Sequence, residues 1–309
     1  MSKSTRSSSG HKLGQIVGDW FEEEVAVDLL SQVASKLGLY LDHRFRSRIC
    51  RGSKVLWEDL DGNNVDYDFV LELGGTDNKK GIPLAYFETF WRRGARHSKD
   101  KARDDSGKLM PMKITYPTTR VLGIISAGDF TKPAQELVQS RGIDLFYIPK
   151  SHICKAWENV GIQVDYEDSA TEEEKRRVAD NAVSKLDKET KTEIFSHLVS
   201  IVGKAVFDSY IQRIIAGVAA IPLEFRITKF LVGSPVIFSN HEDAKSYLKS
   251  SLEVGEIEVK LSLFRYQAIF SDGNIFQRAD LSKEEALELH ETVGDVAKYF
   301  SKHHADRHS

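Results

Sequence analysis

The chain of 309 residues carries 43 lysines and arginines against 46 aspartates and glutamates, a formal net charge of -3, which excludes a globally basic nucleic-acid binder and leaves any such attraction to local patches. Its length allows one large or two ordinary domains, and its 41% hydrophobic and 29% charged residues exclude a disordered chain. Two cysteines, Cys50 and Cys154, exclude a disulfide scaffold and a cysteine-ligated zinc site and fit a reducing cytoplasm.

Residues 1–12, MSKSTRSSSGHK, lack the apolar core of a signal peptide and read as a flexible leader. From Gly14 to Gly38, Ile16, Val17, Trp20, Val25, Leu29, Leu30, Val33 and Leu37 recur at helical spacing, with Gly38 suited to end the helix. LYLDHRFRSRI then alternates, with Leu39, Leu41, Phe45 and Ile49 on one side of an expected strand and Arg44, Arg46 and Arg48 on the other. DLDGNN suits a type I′ hairpin turn at Asp61-Gly62 and lacks the ligand order of a calcium loop. Strands are expected at Val65–Leu73 and Leu84–Trp91, a basic helix over Ser98–Ile114, a central strand in RVLGIISAG, a helix stopped by Gly142, and a strand in IDLFYIP. That order predicts an α/β sandwich with a mixed sheet.

Beyond about Lys150, TEEEKRRVADNAVSKL opens with a capping box at Thr171 and Glu174. The apolar segment Ile194 to Ile221 contains His197, Lys204, Asp208 and Arg213, which argues for a buried or amphipathic helix and against a membrane span. Two β-rich pieces, each followed by a helix, complete the chain; the last helix opens with a second capping box, Ser282 and Glu285. The expected organisation is thus a domain at 13–160 and a C-terminal α+β domain at 171–309 for interaction or dimerisation, in a cytoplasmic protein without membrane contact.

The chemistry concentrates between Val65 and Asp105. If the hairpin joining the two central strands centres near Asn78, residues whose numbers sum to 156 lie opposite one another. Asp68 and Glu88 meet that condition, with Cβ atoms expected roughly 4.5–5.5 Å apart on one face. Two carboxylates so close on a half-buried sheet call for a cation between them, and oxygen ligands of this kind favour Mg²⁺, with Mn²⁺ as a substitute. Asp66 shares the face of Asp68 but pairs less directly with Glu88, and for both aspartates taken alone an outward-facing polar role on an edge strand stands as the equal alternative. Nine lysines or arginines and three aspartates lie between Thr89 and Arg120, and Arg44, Arg46, Arg48, Arg51 and Lys54 precede the first acid. A carboxylate-held metal beside basic surface is the arrangement that phosphodiester hydrolysis needs.

At these residues the sequence resembles the PD-(D/E)XK nuclease superfamily. The leading helix with GDWFEEE, the Asp68 strand, the Glu88 strand, the following helix and the strand near 121–127 match its element order across residues 12 to 150, and FETFWRRGARHSKDKARD is similar to uncharacterised restriction-type nucleases. The resemblance implies a restriction-endonuclease-like fold and Mg²⁺-dependent DNA cleavage, plausible in restriction or anti-phage defence, with a homodimer or a defence-system protein as partner. It implies Asp68 and Glu88 as metal ligands, with an auxiliary ligand among Glu22, Glu23 and Glu24, of which Glu22 is assigned. Contacts to DNA fall to Arg44, Arg46, Arg92, Arg93, Arg96 and His97. The lysine expected two residues after the glutamate is Phe90 here, so that role passes to Lys99 or Lys101 on the next helix. The competing reading, which the phenylalanine motivates, is a non-catalytic nucleic-acid-binding or sensor protein on a decayed nuclease fold.

Overall fold

The computed structural model describes residues 9–96, 98–229, 234–250 and 263–305. The chain opens with α1 (Ser9–Trp20), which passes through a π-helical segment (Phe21–Ala26) into α2 (Val27–Leu37). Helix therefore begins at Ser9, inside the stretch expected to be a leader, and Lys12 pairs with Asp180 at 2.8 Å. Gly38 ends α2 in the left-handed conformation, φ 65°, as its position after the last apolar residue predicts.

Five strands form the main sheet: β1 (Tyr40–His43), β4 (Phe69–Leu73), β5 (Ile82–Arg92), β6 (Val121–Gly128) and β7 (Asp144–Pro149), in the spatial order β1-β4-β5-β6-β7. The first three are antiparallel and the last three parallel, so the sheet is mixed as expected. Every residue of β6 is buried, which is why RVLGIISAG reads as a continuous apolar run rather than an alternating one. Residues 64–66 and 69–73 do not make one strand. Instead β2 (Leu56–Glu58) pairs with β3 (Asn64–Asp66) in a separate ribbon. Its turn has Asp59 Oδ1 accepting from the Asp61 and Asn63 amides, and within it only Gly62 has positive φ, so it is not the expected type I′.

Helices cover both faces of the sheet. On one side α3 (Ser98–Thr115) and α4 (Lys132–Ser140) pack Ala102, Leu109, Met112, Ala134 and Val138 against Tyr86, Phe90, Leu122 and Ile124. On the other, α1, α2 and α5 (Lys150–Glu158) bury Val17, Trp20, Leu30, Ile153 and Trp157 against Phe87, Trp91, Ile125 and Ile148. That second core also takes residues from α6 (Glu172–Lys185), α7 (Lys188–Val202) and α8 (Lys204–Val218): Ala179, Leu198, Phe207, Ile211 and Ile214 are part of it. The expected boundary near 170 is thus displaced, because α6 to α8 complete the first core. The Thr171–Glu174 capping box forms as predicted. The apolar stretch after Ile194 is not one helix; it breaks at Gly203, φ 96°, with a 92° bend between α7 and α8. Among the described residues no single helix is long and apolar enough to cross a membrane.

The second unit is a four-stranded antiparallel sheet, β11-β10-β8-β9, made of β8 (Pro222–Lys229), β9 (Val236–Phe238), β10 (Phe264–Phe270) and β11 (Ile275–Leu281). Helices α9 (His241–Lys249) and α10 (Lys283–Ala305) cover Phe225, Ile227, Tyr266 and Ala268, giving the two β-β-α pieces expected. Ser282 and Glu285 cap α10 reciprocally. Further along α10, Val296 and Phe300 enter the first core and Tyr299 donates to the Leu37 carbonyl at 2.8 Å, tying the units together.

Candidate active site

The register of β4 and β5 places Phe69 opposite Phe87, Val70 opposite Tyr86 and Leu71 opposite Ala85. These three pairs sum to 156, a bulge after Leu71 shifts the pairs nearer the turn, and Asp68, a bend one residue before β4, lies just past the Phe69–Phe87 end of the ladder. Asp68 Oδ2 accepts from the Thr89 amide at 2.7 Å and the Thr89 hydroxyl at 3.0 Å, which fixes it beside the Glu88 turn of the strand. Glu88 is 2% exposed. Its carboxyl is pushed up to about 8, first by burial and then by the charge of Asp68, with Lys108 opposing.

Glu22 joins this cluster from the other face of the pair. It lies in the π-helical segment, a local widening of the helix that recurs at functional sites. Burial and then Asp68 push its carboxyl up to about 7, against the hydrogen bonds and charge of Arg44. Arg44 Nε and Nη2 each bond a Glu22 oxygen at 2.7 Å. Glu23 instead pairs with Lys191, and Glu24 is half-buried. Of the three glutamates, Glu22 is the one that feels Asp68.

The amine at the site is neither of those expected. Lys108 Nζ donates to Glu88 Oε1 at 2.7 Å and to Oε2 at 2.6 Å. The Glu88 charge and hydrogen bonds hold that ammonium above its usual range although burial works against them. Lys99 is exposed, and Lys101 pairs with Asp105 at 2.6 Å beneath the Phe90 ring. The reason is direction: α3 runs back along β5, so a residue deep in the helix, not one at its start, returns to the level of Glu88. Tyr67 pins that helix by donating its phenol to the Lys108 carbonyl at 2.8 Å. Phe90, at the usual lysine position, packs edge-on against Phe130 at 5.0 Å.

Asp105 is the residue that sequence reasoning missed. It is 1% exposed, burial raises its carboxyl, and it feels both Lys108 and Asp68. Its Oδ2 has no hydrogen-bond partner. Helical spacing could have found it, because Lys101, Asp105 and Lys108 fall on one face of α3 at intervals of four and three. Asp66 lies elsewhere: it caps the Val55 amide at 3.0 Å and faces Lys54 in the β2–β3 ribbon.

The basic residues are less available than their number suggests. Arg48 and Arg51 fold inward onto Asp42 and Glu72 rather than lining a strand face; Arg48 bonds Asp42 at 2.6 Å and Glu72 at 2.5 Å, with all three side chains fully buried. The strand expected there ends at His43, and Ile49, placed on its apolar side, is 80% exposed. Arg44 is engaged by Asp19 and Glu22, Arg46 by Asp77, and Arg93 by Asp165, Asp168 and the ring of Tyr166. Arg92 is half-buried at the end of β5 and Arg96 is exposed; His97 lies outside the described residues.

The donor set around Asp68 is oxygen alone, of the kind that suits Mg²⁺ or Mn²⁺. Among the described residues no group of three or more histidine, cysteine, aspartate or glutamate side chains is arranged to hold a metal ion. Asp105 Oδ2 is buried without a hydrogen-bond partner, and burial and then Asp68 raise the Glu22 and Glu88 carboxyls. No family model and no curated protein sequence matches the chain. Among solved structures it is similar to the crystal structure of AF1548, a protein of unknown function, over 64% of this chain and 98% of that one, at 14% identity and a TM-score of 0.30.

Proposed function

We propose that this protein is a metal-dependent endodeoxyribonuclease whose N-terminal unit is restriction-endonuclease-like, acting in the cytoplasm in restriction or anti-phage defence. The observation that carries the reading is the proximity of Asp68 and Glu88 at the end of the β4–β5 ladder, with Asp68 held by Thr89 and the Lys108 amine on Glu88. Asp68 and Glu88 would hold Mg²⁺ or Mn²⁺, with Glu22 as auxiliary ligand; the ion would supply an acidified water and charge stabilisation at the phosphate. Lys108 takes the place left by Phe90. Its Nζ opposes the burial that raises the Glu88 carboxyl and presents a cation where phosphate charge develops. Tyr67 and Thr89 do the positioning, one on the helix carrying Lys108 and one on Asp68. DNA is the partner; a homodimer built through the C-terminal unit would present two such sites to the two strands of a duplex.

The test is cleavage of supercoiled plasmid by the purified protein. Conversion in Mg²⁺ or Mn²⁺, lost with EDTA and in both Asp68→Ala and Glu88→Ala, supports the reading; equal conversion by the doubly substituted protein rejects this site. A second reading has its own observation. Lys108 and Arg44 already occupy both oxygens of Glu88 and of Glu22, which neutralises the acids without a metal. It describes a non-catalytic nucleic-acid-binding or sensor protein and predicts salt-sensitive DNA binding with no nicking in either ion.

A further inference from the structure

A cavity of about 610 Å³ opens where the first residues of β6 and β7 meet α8, the end of α3 and the turn between β10 and β11. It lies where the two units meet and shares no residue with the acidic cluster. Its wall carries Lys113, Arg120 and Arg213 with Asp144 and Asp272. Three of these five are spoken for. Arg213 makes a two-pronged pair with Asp144 at 2.7 and 3.0 Å, and Asp272 accepts from Asn274 at 2.6 and 3.0 Å.

Arg120 is different. It is 4% exposed, lies with its guanidinium carbon 3.9 Å from the centre of the Phe270 ring, and donates from Nη1 to the Pro117 carbonyl. Its Nε and Nη2 have no partner. A buried guanidinium with two unmet donors is costly, because those N–H groups have lost water and gained nothing. Nε and Nη2 together form the side of the fork that binds two oxygens of one oxyanion. Lys113 stands on the same wall, its amine 3.5 Å from Asn274 Oδ1. Burial holds both cations below their usual range while Asp272 favours their charged forms, so the acid offsets only one of two positive charges.

We infer that this cavity binds a small phosphate-bearing ligand, with the oxyanion on Arg120 and Lys113 and the remainder in the space toward β7 and α8. The volume is within the range of small-molecule sites and exceeds what a lone phosphate fills. The inference stands apart from the nuclease reading, since none of its groups belongs to the acidic cluster.

The experiment is calorimetric titration of the full chain, in EDTA so that no metal bridges phosphate to the acids, with inorganic pyrophosphate and then a nucleoside triphosphate. The wild type should bind at one saturable site, and Arg120→Met and Lys113→Gln should each weaken binding about tenfold or more. Added ligand should raise the melting temperature of the wild type and not of either variant. If Arg120→Met fails to fold, Lys113→Gln decides alone. No saturable binding by the wild type, equal binding by both variants, or binding of duplex DNA but of neither small ligand, would each overturn the inference.

Discussion

Replacing Glu88 by glutamine should stabilise the metal-free protein at neutral pH. Glu88 is buried and its carboxyl lies at about 8 instead of the ordinary 4.5, so at pH 7 its ionisation works against folding by about 3 kcal/mol, at roughly 1.4 kcal/mol per unit. Because the folded-state value lies above the unfolded one, the folded protein retains a proton that the unfolded chain has released. That contribution is fully present below 4.5 and is lost as pH rises through about 8. Glutamine has no such proton to lose. The Glu88→Gln advantage should therefore be near zero at pH 4.5 and grow by roughly 1.4 kcal/mol per pH unit up to about 8. Lys108 loses its partner in the variant, but its side chain is 36% exposed and can turn to water, so the offset is small. Glu22, pushed up to about 7, has the same sign in both proteins and cancels from the difference. Urea unfolding of the two proteins in EDTA at pH 5, 6, 7 and 8 measures it. A variant less stable than wild type at pH 7, or a difference that does not change with pH, would refute the reasoning: Lys108 would then be keeping Glu88 comfortably ionised throughout.

Lys108→Ala should lower Mg²⁺-dependent plasmid cleavage by about a hundredfold or more while Lys99→Ala leaves the rate unchanged, read from initial rates of nicking. Phe90→Lys restores the familiar spacing in sequence only; with Phe130 against that ring, it should cost about 3 kcal/mol in denaturant unfolding and add no cleavage activity. Arg48→Ala strips the cation shared by buried Asp42 and Glu72, and should cost about 3–5 kcal/mol by the same assay.

How much of this was written in the chain differs from residue to residue. The Phe69–Phe87, Val70–Tyr86 and Leu71–Ala85 pairs followed from one assumption, a hairpin centred at Asn78; the bulge after Leu71, which shifts Glu72 onto Pro83 and Leu73 onto Ile82, did not. The identity of the lysine was also legible, though nearness in sequence pointed elsewhere. β5 continues four residues past Glu88, about 13 Å at roughly 3.3 Å per residue. A helix returning at about 1.5 Å per residue needs about nine residues to cover that distance, which from Ser98 reaches the neighbourhood of Lys108. Arg48 was not legible. Alternation put it on a solvent face, and only the tertiary placement of Asp42 and Glu72 draws it inward. Nor does FEEEVA announce a π-helical turn; its residues suit an ordinary helix, and the packing around it decides. The break at Gly203 has a local cause that could have been weighed, since its φ of 96° is one that glycine tolerates and other residues rarely adopt. The boundary between units was misplaced because α6 begins with a solvated, capped sequence that looks like the start of something new, while Ala179 and Ala182 bury themselves in the first core.

The central claim is that Asp68 and Glu88 share one divalent cation, and locating Mn²⁺ by anomalous scattering in crystals grown with the ion tests it most directly. The account predicts a single strong peak between those two carboxylates, with Lys108 displaced from at least one Glu88 oxygen. A protein that binds Mn²⁺ only elsewhere, with the Lys108–Glu88 pair intact, would contradict it.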